Sequence, residues 1–197
     1  MKLVCLGDSL TYGYEVRRPA VWTALAAREC GITILNRGIN GLLTAGMLGR
    51  FAPDVLAERP DAVLLMGGAN DILSGFGREE PEKNITAMAL KASGAGIRPL
   101  IGVPAPFCPP IREDWDAVAD FPAMAPIYEA FSERLLALCV ENAWTPVDFR
   151  AGLARHVHET GTATRSLYGD GIHLNEAGHR VFAATLARAL RENGLIS

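Results

Sequence analysis

The chain has no apolar run approaching the roughly 20 residues a membrane-spanning helix needs, so no integral membrane segment is expected. Basic clusters are also missing: 19 Lys and Arg stand against 22 Asp and Glu, a formal net charge of −3. Nucleic acid, which calls for a positive stripe, is therefore not an expected partner. Met1 and Lys2 run straight into "LVCLG", too short for the apolar core of a signal peptide, and a cytoplasmic location is the resulting expectation. The four cysteines, Cys5, Cys30, Cys108 and Cys139, form no C-x-x-C pair and have no companion histidine cluster. That excludes a recognisable metal site and points to reduced, mostly buried thiols. With no repeat, low-complexity tract or linker, residues 1–197 are expected to fold as one domain around a substantial core.

What the chain does have is alternation. Short apolar runs recur at 2–7 ("KLVCLG"), 33–38 ("TILNRG"), 62–68 ("AVLLMGG"), 98–104 ("RPLIGVP") and 145–149 ("TPVDF"). Several are continuously apolar, as strands buried on both faces of a parallel sheet must be. Between them, 20–30, 81–96 and 126–143 carry helical periodicity, and a last helix is predicted over 175–193 with Asn175 as its N-cap. Strand and helix alternate, so the predicted fold is α/β: a three-layer α/β/α sandwich on a five-stranded parallel sheet. Ligands bind such sheets outside the carboxyl ends of the strands. The strand exits read Gly7-Asp8-Ser9, Arg37 to Gly41, Gly67 to Asp71, and Pro104 to Pro106.

Serine is scarce, with six in all, and only Ser9 follows a buried strand in a glycine-bounded turn. A helix cap would account for it as well as a nucleophile would. Of the four histidines, His156 and His158 are spaced to splay apart on a helix, and His179 lies inside the last helix, where packing or solvent explains it. His173 differs, because Asp170 precedes it by three residues in a glycine-bearing loop. Such a turn can fold a carboxylate onto one imidazole nitrogen and leave the other free as a base. It could equally be a capping loop. Asn70 offers a side-chain amide at a strand exit, and Gly41 offers a backbone N–H that a ligand can approach. Each also has a purely structural explanation. Together, all five positions fall on one predicted rim.

The blocks "LGDSLTYGY", "LNRGINGLLT", "GGAND" and "DGIHLNEAGH", in this order across nearly the whole chain, resemble the GDSL, or SGNH, hydrolase family, specifically its thioesterase/lysophospholipase-like bacterial branch. The resemblance implies the flavodoxin-like topology of that family and a serine hydrolase cleaving carboxylic ester or thioester bonds, lysophospholipase activity included, with no metal or cofactor. It implies Ser9 as nucleophile, Asp170 and His173 as its triad partners, and an oxyanion hole made by Ser9, Gly41 and Asn70. Leu42 after Gly41, Ala69 in the third block and Leu174 after His173 depart from the usual pattern, and none removes a catalytic group. The chain lacks the G-x-S-x-G elbow of α/β-hydrolases. A flavodoxin-like nucleotide- or flavin-binding module is the alternative, with its first loop holding phosphate at a helix N-terminus.

Residues 104–126 are predicted to be a long loop, stiffened by prolines and too rich in Phe107, Trp115, Phe121 and Met124 to be a linker. This segment is expected to roof the rim beside Ser9. Asp8, Leu42, Phe107, Trp115 and Phe121 are the candidate substrate-binding residues. The acidic stretch Glu113, Asp114 and Asp116 is expected to disfavour strongly anionic substrates such as acyl-CoA, leaving neutral, short-to-medium acyl esters.

Overall fold

In the computed structural model, which describes residues 1–117 and 119–196, five parallel strands lie in the order β2-β1-β3-β4-β5. They are β1 (Lys2–Gly7), β2 (Thr33–Gly38), β3 (Ala62–Met66), β4 (Arg98–Val103) and β5 (Thr145–Asp148). This is the flavodoxin-like strand order, in which the topological switch point falls between β1 and β3. The helices are α1 (Ser9–Tyr12), α2 (Trp22–Cys30), α3 (Thr44–Asp54), α4 (Ala69–Leu73), α5 (Glu79–Gly94), α6 (Glu113–Asp116), α7 (Phe121–Asn142), α8 (Phe149–Thr160) and α9 (Glu176–Glu192).

Alternate strand residues feed two cores. Leu3 and Cys5 of β1 join Trp22, Phe149 and Phe182 beneath α2, α8 and α9. Val4 and Leu6 of the same strand join Met47, Ile85 and Phe131 beneath α3, α5 and α7. Burying both faces explains why these strands read as continuous apolar runs. On the first face Phe149 stacks on Phe182 with centroids 4.2 Å apart, and Trp22 meets Phe149 edge-on at 5.3 Å.

The strand readings need only trimming at their ends. The helix readings needed more. Asn175 caps α9 as expected, accepting from Ala177 and Gly178 N–H at 2.9 and 3.2 Å. By contrast, α7 starts at Phe121 rather than 126, because Asp120 accepts from Ala123 N–H at 3.0 Å and starts the helix upstream. Pro126, the first residue of the expected helix, therefore lies inside α7. The expected loop over 104–126 is accordingly shorter and carries α6; it includes Val118, which lies outside the described residues. Helices α3 and α8 were not anticipated, the first being diluted by Gly46, Gly49 and Pro53. Among the described residues no helix is long and apolar enough to cross a membrane. Cys5 and Cys139 are buried, Cys30 and Cys108 partly so, and all four are free thiols. Burial pushes the Cys139 thiol up to about 12, far from a reactive thiolate.

Candidate active site

The first strand ends where side-chain volume is forbidden. A Cβ on Gly7 would collide with Thr11 Oγ1 and the Met66 carbonyl, so only glycine lets α1 fold back tightly over the strand ends. Asp8 then caps that helix, its Oδ1 accepting from Leu10 N–H at 2.9 Å. Ser9 is the first helical residue, and its N–H has no acceptor among the described residues. Its Oγ lies 2.9 Å from His173 Nε2.

His173 reaches that position from a tight loop ahead of α9. Its Nδ1 lies 2.7 Å from Asp170 Oδ2, while Asp170 Oδ1 accepts from the N–H groups of Ile172 and His173 at 2.9 and 2.6 Å. Burial works against ionising Asp170. The hydrogen bonds from the His173 ring and from the two backbone N–H groups outweigh it and hold the carboxyl well below the usual carboxylate range. Ser9 and His173 are each only 8 % exposed, so the pair is shielded while one edge stays open to the cleft.

Two further loops face Ser9 across the switch point. Leu42 N–H closes a turn onto the Ile39 carbonyl at 3.2 Å, with Gly41 in the left-handed region at φ 72°. The Gly41 N–H has no acceptor among the described residues. From the start of α4 the Asn70 amide donates to the Leu42 carbonyl at 3.2 Å, which leaves its second N–H available. Buried Asp71 ties the two loops together, accepting from Thr44 N–H at 3.0 Å and Thr44 Oγ1 at 2.6 Å. Ser9, Gly41, Asn70 and His173 all line one cavity of about 100 Å³, walled by Tyr14, Leu73, Phe107, Trp115, Tyr128 and Ile172.

The sequence matches the GDSL-like lipase/acylhydrolase family over residues 5–181. The chain belongs to that family. As a member it is a carboxylic ester hydrolase. It is 37% identical over 103 residues to an arylesterase of Vibrio mimicus, spanning 49% of this chain and about half (52%) of that protein. It is 25% identical over 194 residues to the thioesterase 1/protease 1/lysophospholipase L1 of Escherichia coli K12, covering 96% of this chain and 83% of that one. Among solved structures, a lipolytic G-D-S-L family member from Veillonella parvula superposes with a TM-score of 0.78 at 23% identity, covering 95% of this chain and 97% of that chain.

Not every residue expected at the site of this GDSL-family enzyme lies in its cleft. Phe107 and Trp115 line it; Asp8, Leu42 and Phe121 do not. Asp8 is buried at the N-terminus of α1, where burial pushes its carboxyl up to about 6. Its carboxylate takes the helix N–H that a phosphate would need, which counts against the nucleotide- or flavin-binding alternative. Leu42 packs toward Gly46 and the core beneath α3. Phe121 sits behind the wall, edge-on to Phe107 with centroids 5.1 Å apart.

Within the acidic stretch Asp114 pairs with Arg112 at 2.8 Å, and Arg112 also reaches Glu15 at 3.0 Å. Tyr14, Leu73, Tyr128 and Ile172 were missed as wall residues. Tyr14 stood inside the first block, five residues past Ser9, and was the legible one. His156 lies in a larger open groove of about 640 Å³ between α8 and α9, but the hydroxyl of Ser166 there donates to the Ala163 carbonyl at 2.7 Å. His179 is buried, with Nδ1 accepting from Trp22 N–H at 3.0 Å. Among the described residues no three His, Cys, Asp or Glu side chains are grouped to hold a metal ion.

Proposed function

We propose that the enzyme hydrolyses short, uncharged acyl esters through an acyl-enzyme on Ser9. The observation that carries this is the chain Ser9 Oγ–His173 Nε2, 2.9 Å, and His173 Nδ1–Asp170 Oδ2, 2.7 Å, set beside three N–H donors. His173 takes the Ser9 proton as Oγ attacks the ester carbonyl, and Asp170 stabilises the imidazolium that forms. The negative carbonyl oxygen is received by the N–H groups of Ser9 and Gly41 and by the Asn70 amide. The imidazolium gives its proton to the departing alcohol. Water, deprotonated by the same ring, then releases the acid and restores Ser9.

The cleft supports the substrate class. A cavity of about 100 Å³ holds a small acyl group, and its walls are aromatic and aliphatic. Among the described residues no Lys or Arg lines it, which supports a substrate without phosphates at this cavity over an acyl-CoA or a lysophospholipid. Relatives named arylesterase, thioesterase and acetylxylan esterase support an acyl substrate for this chain.

The decisive experiment treats wild type and Ser9→Ala with a fluorophosphonate and with p-nitrophenyl acetate. Wild type should carry one adduct on Ser9 by peptide mass, and the variant none. Turnover should fall by several orders of magnitude, roughly 10⁶ where a triad nucleophile has been removed from another hydrolase. A variant keeping a tenth of the activity would end the assignment. A panel of p-nitrophenyl acyl lengths with acetyl-xylan and acyl-CoA then tests the substrate class.

A further inference from the structure

Asp170 has four hydrogen-bond donors, and one comes from far away in the chain. Oδ1 is filled by the N–H groups of Ile172 and His173, and Oδ2 by the His173 ring; these three belong to its own loop. The fourth is the indole N–H of Trp115, 2.9 Å from Oδ2 and 55 positions away. Trp115 sits on the one-turn helix α6, in the segment after β4, with its ring edge-on to Tyr14 and its centroid 5.7 Å from that of His173.

That segment is fastened to the Asp170 loop at several points. Cys108 N–H donates to the Gly171 carbonyl and Arg112 N–H to the Asp170 carbonyl, each at 2.8 Å. The Tyr168 hydroxyl donates to the Pro106 carbonyl at 2.8 Å. On the other side the Arg112 guanidinium reaches the Glu15 carboxylate, just past the helix that bears Ser9. The strap therefore bridges the loop of the base and the loop of the nucleophile.

We propose that Trp115 is a positioning residue for catalysis: its indole N–H fixes the rotation of the Asp170 carboxylate and so the aim of the His173 ring at Ser9. The proposal rests on the reading of Asp170 and His173 as triad partners. A carboxylate held only by its own loop keeps its hydrogen bonds over a range of tilts; a donor on Oδ2 from a separate element removes that freedom. The indole dipole also draws charge from Oδ2. Without it, the carboxylate favours the imidazolium more strongly. Indole is a donor only, so no alternative polarity is available to it.

The test is Trp115→Phe, which keeps an aromatic wall and removes the N–H, assayed with p-nitrophenyl acetate from pH 5 to 9. Active sites are counted by fluorophosphonate titration. Turnover per competent site should fall about tenfold with KM within about twofold, on the scale of one hydrogen bond to a charged group. The acid limb of kcat/KM should move to higher pH.

Unchanged turnover and an unmoved limb would make Trp115 a wall residue only and overturn the proposal. A limb displaced to higher pH with turnover per site unchanged would overturn it too, because the lost indole dipole alone would then account for the shift and the carboxylate would still be aimed. Should Trp115→Phe fail to fold, 3-benzothienylalanine at position 115 preserves the ring shape without the N–H and carries the same expectations. Ser9→Ala separates the two levels. If that variant stays active the triad reading fails, whereas an inactive Ser9→Ala beside an unaltered Trp115→Phe rejects only the role of Trp115.

Discussion

Ser9 Oγ and His173 Nε2 stand 2.9 Å apart although 164 positions separate their residues. The contact joins the exit of β1 to the loop before α9. The two chain ends are brought together by α2 and α9 packing on the same face of the sheet, where Trp22 N–H donates to His179 Nδ1 at 3.0 Å. The Ser9–His173 contact is thus held by the core beneath it rather than by the two loops alone.

Activity should follow the protonation of that histidine. As a base it must be neutral, so kcat/KM should rise with pH along an acid limb. Asp170→Asn should lower kcat by about 10⁴-fold, as loss of the orienting carboxylate does in another serine hydrolase. A flat pH profile in wild type would argue against His173 as the base.

Asn70 and Asp71 are neighbours with separable effects. If the free N–H of Asn70 serves the oxyanion as proposed, Asn70→Ala should lower kcat about 10²–10³-fold at nearly constant KM. Asp71→Ala leaves Thr44 N–H and Oγ1 without their buried acceptor and should cost about 2–4 kcal/mol of stability. Kinetics and urea unfolding on both variants distinguish a catalytic donor from a structural tie. If Asn70→Ala lost stability with normal turnover per folded molecule, its catalytic role would be excluded.

Asp8 and His179 pull the pH dependence of stability in opposite directions. Burial raises the Asp8 carboxyl from 3.8 to about 6, so its protonated form favours the fold; that contribution is complete below 3.8 and is lost as pH rises to about 6. Burial lowers His179 from 6.5 to about 4, so its neutral form favours the fold; stability is lost as pH falls through that window. The two slopes largely offset each other between pH 4 and 6. Asp8→Asn retains a cap for Leu10 N–H and removes one slope. The variant should gain stability more steeply than wild type from pH 4 to 6.5, in urea unfolding at several pH values. Parallel curves would show that the buried carboxyl carries no penalty.

Phe107 lines the cleft, stacked on Tyr128 with centroids 4.6 Å apart. Phe107→Ala should enlarge the cavity and move the preferred p-nitrophenyl ester toward longer acyl chains, with the acid limb unchanged. Phe121→Ala, behind the wall, should chiefly lower Tm. An unmoved chain-length optimum in Phe107→Ala would place the acyl group elsewhere in the cleft.

Local chemistry made much of this protein readable from its residues in order. Continuous apolar runs such as "AVLLM" can be buried on both faces in a parallel sheet, and Asn175 can cap α9 because its Oδ1 accepts from the N–H groups of its own first turn. The candidate residues Ser9, Gly41, Asn70, Asp170 and His173 were legible because each stands at a strand exit or in the last loop, in blocks a family shares. Distances between elements are not written locally. Only the packed chain decided that Phe121 stands behind the wall and Phe107 in it, because that depends on where the N-terminus of α7 meets the sheet. Only the packed chain turned Asp8 inward, since α1 folds back over Gly7 and encloses its own cap. The bond between Trp115 and Asp170 belongs to the same class: it joins two segments with no shared periodicity, and the folding of the strap after β4 onto the loop before α9 brings donor and acceptor together.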